Sequence, residues 1–219
     1  QYYFALKHNM KLEILSRILD VQNPKLTVVF CNTKKMVDDL TAGLQSRGYF
    51  ADGLHGDLKQ IQRDGVMNKF RNSTIDILVA TDVAARGIDV DDVDLVINYD
   101  MPQDVEYYVH RIGRTARAGR EGTAISFVSP REMNTLSQIQ KYTKTKIEKR
   151  DMPTLKDLIK RHEERFMEDI KEEINKNEHT KELNLINVLM SEDYSPIDIA
   201  ACLLKHYNEN NKRNNHEEL

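Results

Sequence analysis

Apolar positions in the first two thirds of the chain follow two alternating rhythms. Short β-branched or aromatic runs, TVVFCN (27–32), FADGLH (50–55), IDILVA (75–80), DLVINY (94–99) and TAISFV (123–128), read as strands. Between them, around 7–19, 34–47, 60–70, 105–114 and 132–142, apolar residues recur at helical spacing. This alternation predicts an α/β fold, a parallel sheet with helices on both faces. Such sheets bind ligands beyond the carboxyl ends of their strands. The polar words lie there: NT (32–33), HGD (55–57), TDVAARGID (81–89) and YDMP (99–102).

Near Met152-Pro153 the rhythm changes. All nine glycines lie before this point, and a Glu-, Lys- and Leu-rich stretch follows. It reads as three helices. The first, near 154–175, carries Leu155, Leu158, Ile159, Phe166, Ile170 and Ile174 on one stripe; the second holds Leu183, Leu185, Ile186, Val188, Leu189 and Met190. The third starts at Ser195-Pro196-Ile197-Asp198, a Ser cap with Pro at the first helical position and an acid in the first turn. Ile199, Ala200, Leu203, Leu204 and Tyr207 give it an apolar face. The expected organisation is an α/β domain over 1–150, a small all-α domain over 151–208, and a polar tail over 209–219 that frays.

Charge follows the same division. Residues 1–150 carry 22 basic and 19 acidic side chains, whereas 151–219 carry 10 and 16. The formal net charge of all 219 residues is −3, and 40% are hydrophobic, enough for a core. No apolar run approaches the roughly 18 residues of a membrane span, and no signal peptide opens the chain. A start at Gln1 reads as a fragment or a processed chain. Cys31 and Cys202 lack metal-binding spacing and sit among apolar residues. Both are expected to be reduced and buried, in a cytoplasmic protein.

Against that acidic balance, YVHRIGRTARAG (108–119) gathers His110, Arg111, Arg114 and Arg117. On a continuous helix His110, Arg114 and Arg117 would share a face. Arginine offers a rigid, permanently charged fork for phosphate oxygens. Crowded cations call for an anion, although four cations alone also fit a solvated basic face.

Neighbouring words narrow the choice. HRIGRTARAG, ATDVAARGIDV (80–90) and VFCNT (29–33) resemble motifs VI, V and IV of the DEAD-box RNA helicases. HGDLKQIQRDGVMNKFR (55–71) resembles an intervening motif, and QYYFALKHNMKLEIL (1–15) the opening of that family's second RecA-like domain. The resemblance runs in order from residue 1 to about 150. It implies a RecA-like sheet in which Arg114 and Arg117 reach the γ-phosphate of ATP as catalytic arginine fingers. Asp89 would hydrogen-bond the ribose. His110 and Arg111 would tie two RecA-like domains together. Thr33, Gly56, Arg63 and Thr81 would hold the RNA sugar-phosphate backbone, a grip independent of base sequence. Singly, Thr33 and Thr81 also read as strand-end caps, Asp89 as a loop acid, and Arg86 and Gln60 as ties between loops.

The phosphate-loop pattern GxxxxGK[ST] and the DEAD tetrapeptide do not occur. In the family they belong to a first RecA-like domain, expected to precede Gln1. The chain therefore implies half an active site. ATP and Mg2+ would serve the intact protein, with no metal ligand on this chain, and the chain alone would hydrolyse nothing. The expected partners are RNA, the N-terminal RecA-like domain of the same protein and a second copy, with no membrane. Residues 152–207 resemble the dimerisation domain that follows the core of bacterial cold-shock helicases of the CshA type, which implies Leu203, Leu204 and Tyr207 at a dimer interface. Other readings stand beside these: half of a different superfamily-2 (DNA) helicase, a non-catalytic RNA-binding or assembly module, and, for the helices, an appendage packed on the first domain.

Overall fold

Seven strands form one sheet in the computed structural model, which describes residues 1–85, 93–116, 121–176 and 180–217, with side chains to position 207. The first of two units, Gln1–Arg161, holds the sheet. Its elements are β1 (Tyr2–Ala5), α1 (Lys11–Gln22), β2 (Thr27–Cys31), α2 (Lys34–Gln45), β3 (Ala51–Leu54), α3 (Gln60–Arg71) and β4 (Ile77–Thr81). They continue with the single-turn α4 (Asp82–Ala85), β5 (Leu95–Asn98), α5 (Val105–Ile112), β6 (Thr123–Val128), α6 (Met133–Thr143) and β7 (Glu148–Lys149). The strand order is β3-β4-β2-β5-β6-β1-β7, with every described pair parallel.

Successive side chains of a strand face opposite ways, so one strand feeds two cores. Val29 and Cys31 of β2 enter a core with Ile14, Leu15 and Ile18 of α1 and Val37 and Leu44 of α2. Val28 and Phe30 enter another with Met67 and Phe70 of α3. All five residues of β2 are buried, which is why it reads as a continuous apolar run rather than an alternating one. A third cluster joins Tyr108 of α5 to Leu136 and Ile139 of α6 and to Ile147.

Three features differ from the sequence expectation. β1 and β7 add two strands at one edge; β7 is only Glu148–Lys149, both exposed, and pairs with Tyr2 and Tyr3. A charged pair of residues is tolerated at a sheet edge. α5 stops at Ile112, where Gly113 caps it, so Arg114 lies beyond the helix and not on its face. Cys31 is buried as expected, but Cys202 is exposed.

The second unit, His162–Leu219, carries most of α7 (Leu155–Lys176), then α8 (Thr180–Ser191) and α9 (Pro196–Glu217). The Ser195 hydroxyl accepts from Ile197 N–H at 3.2 Å, the cap that the sequence announced. The helix then runs on to Glu217, through the stretch expected to fray. Extending an existing helix costs far less than starting one. Among the described residues of this unit, Ile199 alone is buried. Phe166 and Tyr207 stack with centroids 4.8 Å apart.

Candidate functional site

At the carboxyl ends of β4, β2 and β5, three neighbours in the sheet, one guanidinium fills the space between the strands. Arg111 is 1% exposed. Its Nε and Nη2 donate to the two Asp82 carboxylate oxygens at 2.6 and 2.7 Å. Nη1 donates to Asp100 O at 2.6 Å and Asn98 Oδ1 at 3.2 Å, and Nη2 also reaches Asn32 Oδ1 at 2.9 Å. Its plane lies 5.2 Å from the Phe30 ring centroid. A forked, charge-assisted pair of this kind fixes both partners in orientation. Arg111 thus pins the loops after β2, β4 and β5 to α5. Lys11 braces the same place, donating to Tyr99 O at 2.5 Å and to the Asp100 carboxylate at 2.9 Å. Burial, and then the nearby Asp100 carboxylate, push the Cys31 thiol far above its usual range.

On this base rests a concavity lined by Phe30, Asp82, Ala85, Tyr107, His110, Arg111 and Arg114. His110 is exposed and Arg114 half-buried. The turn that carries Arg114 is held from behind. Arg114 N–H donates to Arg111 O at 3.2 Å, and the Thr115 hydroxyl donates to Val93 O at 2.5 Å. A Cβ on Gly122 would fall 2.0 Å from Thr115 Oγ1 and 2.6 Å from Ala116 N, so only glycine lets the start of β6 approach this turn. The arrangement can present cationic donors to an anion in the concavity while their backbone stays fixed.

Of the residues expected to grip RNA, Thr33, Gly56 and Thr81 stand at the ends of β2, β3 and β4, and Arg63 lies on α3. Thr33 is the N-cap of α2 and accepts from Met36 N–H at 3.2 Å, which leaves its hydroxyl proton to donate outward. Thr81 ends β4, directly before Asp82. Arg63 on α3 donates to Ala84 O at 3.1 Å. The single turn α4 therefore touches both groups, Asp82 toward Arg111 and Ala84 toward Arg63. A Cβ on Gly56 would meet nothing within 4 Å, so the chain itself leaves that space open. Its loop is tied down on both sides. His55 is buried with Nε2 3.0 Å from the Asp38 carboxylate, and Asp57 N–H approaches His55 Nδ1 at 3.4 Å. Lys34 donates to Asp57 at 2.6 Å and holds that carboxyl below its usual range.

Asp89 and Arg117 lie outside the described residues. Leu203, Leu204 and Tyr207 belong to the second unit, where they are exposed at 58%, 42% and 43%. Among the described residues, no three His, Cys, Asp or Glu side chains group to hold a metal ion, and no helix is long and apolar enough to cross a membrane. Sequence reasoning missed Asp82, Asn98, Asp100 and Lys11. Asp82 and Asp100 stand inside words singled out for their place at strand ends; nothing local says which cation they meet.

Comparison with known proteins follows the same division of the chain. Residues 10–119 match the helicase conserved C-terminal domain, and 153–218 match the RNA helicase DeaD dimerization domain. The ATP-dependent RNA helicase CshA of Listeria monocytogenes is 46% identical over 205 residues, 94% of this chain and 39% of the relative. This chain spans about two fifths of the length of such curated relatives. Among solved structures, the E. coli DEAD-box protein SrmB bound to the regulator RraA superposes with a TM-score of 0.65 at 37% identity, covering 72% of this chain and 91% of that one. S. cerevisiae Dbp5 bound to RNA and ADP BeF3 gives 0.65 at 38%, covering 68% and 41%.

Proposed function

Since the chain belongs to the DEAD-box RNA helicases, as their C-terminal helicase domain followed by a dimerisation domain, we propose that it supplies the arginine half of an ATP site and one wall of an RNA cleft. The observation that carries this reading is the concavity in which Arg111, saturated by Asp82, Asn32, Asn98 and Asp100, holds Arg114 and His110 at the strand ends. The donors present suit a terminal phosphate. Arg114, with Arg117, stabilises charge on the transferring phosphoryl group, and Asp89 takes the ribose. His110, exposed, is offered to the N-terminal RecA-like domain, and Arg111 works behind it. Mg2+ comes with ATP, and its ligands come from that other domain. Thr33, Gly56, Arg63 and Thr81 hold the RNA backbone. ATP and RNA together favour a closed state because they bind it preferentially. The setting is the bacterial cytoplasm.

The second unit makes the parent a homodimer, and the domain boundary in the sequence falls near residue 150, just before the 153–218 match, while the first compact unit reaches Arg161. Supporting this is an all-helical unit whose apolar side chains, Ile170, Ile174, Leu185, Val188, Leu203 and Leu204 among them, are exposed.

Replacing Arg114 by alanine in the intact helicase is expected to lower RNA-stimulated ATP hydrolysis about 10³-fold or more, with ATP and RNA still bound. A rate within a few-fold of the parent would refute the finger assignment. Purified alone, the chain should release no phosphate from ATP, with or without RNA.

A further inference from the structure

The first unit carries a second cationic surface that the motifs do not account for. It lies where α6 runs into β7, the edge strand at the opposite end of the sheet from β3. Residues 141–150, KYTKTKIEKR, hold five cations and one carboxylate in a chain of net charge −3. Lys141, Lys144 and Lys146 line one concavity with Ser137, Gln140 and Thr145, and no carboxylate lines it. All three lysines are exposed, and none forms an ion pair among the described residues. Tyr142, next to Lys141 in the chain, is 56% exposed.

The loop that presents these lysines is built rather than slack. Ile147, buried in the third core cluster, anchors its far end. Ile147 N–H donates to Gln140 Oε1 at 2.9 Å, which leaves the Gln140 amide as a donor. The Thr145 hydroxyl donates to Thr143 O at 3.1 Å. Helix geometry explains only part of the charge. A lysine in the last turn meets the negative end of the helix dipole, which accounts for Lys141. Lys144, at the cap, shares that attraction but at a backbone cost. It caps α6 in the left-handed conformation at φ 52°, where backbone physics favours glycine. A cation stands where a residue with no side chain would fit with less strain, and Lys146 adds to it two positions later.

We propose that Lys141, Lys144 and Lys146 form a second RNA-backbone contact, separate from Thr33, Gly56, Arg63 and Thr81. The inference rests on the RNA-helicase reading above. Three ammonium groups with amide and hydroxyl donors and no acid suit successive phosphates, contacted without reading bases. The exposed Tyr142 ring offers a face on which a base can stack. RNA is favoured over an acidic protein segment because the lining combines neutral donors with the charge and the residue after Lys141 is an exposed tyrosine.

The test is binding of a fluorescent oligouridine of about 20 nucleotides to the whole chain, followed by anisotropy across about 50–200 mM salt. The variant is Lys141→Gln/Lys144→Gly/Lys146→Gln. Glycine keeps the left-handed cap, so the thermal midpoint should not fall. Each single-strand phosphate contact contributes about 0.7 to the slope of log affinity against log salt, so the slope should drop by about two. Arg63→Gln serves as comparator at the β3 end of the sheet, with a drop of about 0.7. If Arg63→Gln weakens binding and the triple variant leaves slope and affinity unchanged, the second contact is wrong and the helicase reading stands. If the parent chain binds no oligouridine, both fall. If the triple variant alters solution mass but not RNA binding, the surface meets protein and the proposal is overturned.

Discussion

Replacing Arg111 by methionine would strand the Asp82 carboxylate among the loops it now orders. Losing one partner of a buried, hydrogen-bonded ion pair costs about 3–5 kcal/mol. Urea unfolding should show a loss near the lower end of that range, since Asp82 keeps some solvent contact, and Asp82→Leu in the same chain should recover part of it. An Arg111→Met protein as stable as the parent would remove Arg111 from the centre of the site. The sequence already raised the underlying question, because a crowd of cations needs an anion. For Arg111 that anion is inside the chain, 29 residues away. Residue types announce that a charge must be met, but which charge meets it depends on how strands are ordered in the sheet. Gly122 is similar: its need to lack a side chain comes from Thr115 and Ala116, across a turn.

Elements were legible wherever a long periodic stretch decided them. The five strands, the helices between them and the Ser195 cap stand close to where their apolar rhythm and capping residues put them. The errors sit at ends and edges, apart from β1, an aromatic strand paired on both sides. β7 is two charged residues and carries no apolar signal. α5 ends at Gly113 although the cation spacing continues past it. α9 outruns the Asn-rich composition of its last turns. The same helix carries the clearest element-scale expectation. Leu203 and Leu204 face solvent in a single chain, so Leu203→Asp/Leu204→Asp should cost the first unit nothing. It should convert a species of about twice 25.4 kDa into one of 25.4 kDa by light scattering. A mass unmoved by the double substitution would place the interface elsewhere.

Over the whole molecule, several buried acids act together at high pH. Burial is the largest cause raising the Cys31 thiol and the Tyr49, Tyr99 and Tyr108 phenols above their ordinary values, Tyr108 to about 12. A group whose pKa is raised on folding favours the native state while both states stay protonated, and that benefit fades once the unfolded chain ionises first. Stability should hold below about pH 8.5, fall as unfolded cysteine ionises, and fall faster above about pH 10 as unfolded tyrosine follows. Thermal midpoints that stay level from pH 9 to about 11 would contradict this. The two units should respond differently, because these four groups all lie in the sheet-bearing unit. What stabilises the other unit is of another kind. With Ile199 as its one buried side chain among those described, its helices have little interior to hold them closed. In the proposed homodimer their interior would be the surface of a second copy, so folding there would be an association reaction and obey mass action. Protein abundance then becomes a structural variable: a cell making less of this chain would hold a smaller fraction of it with that unit folded.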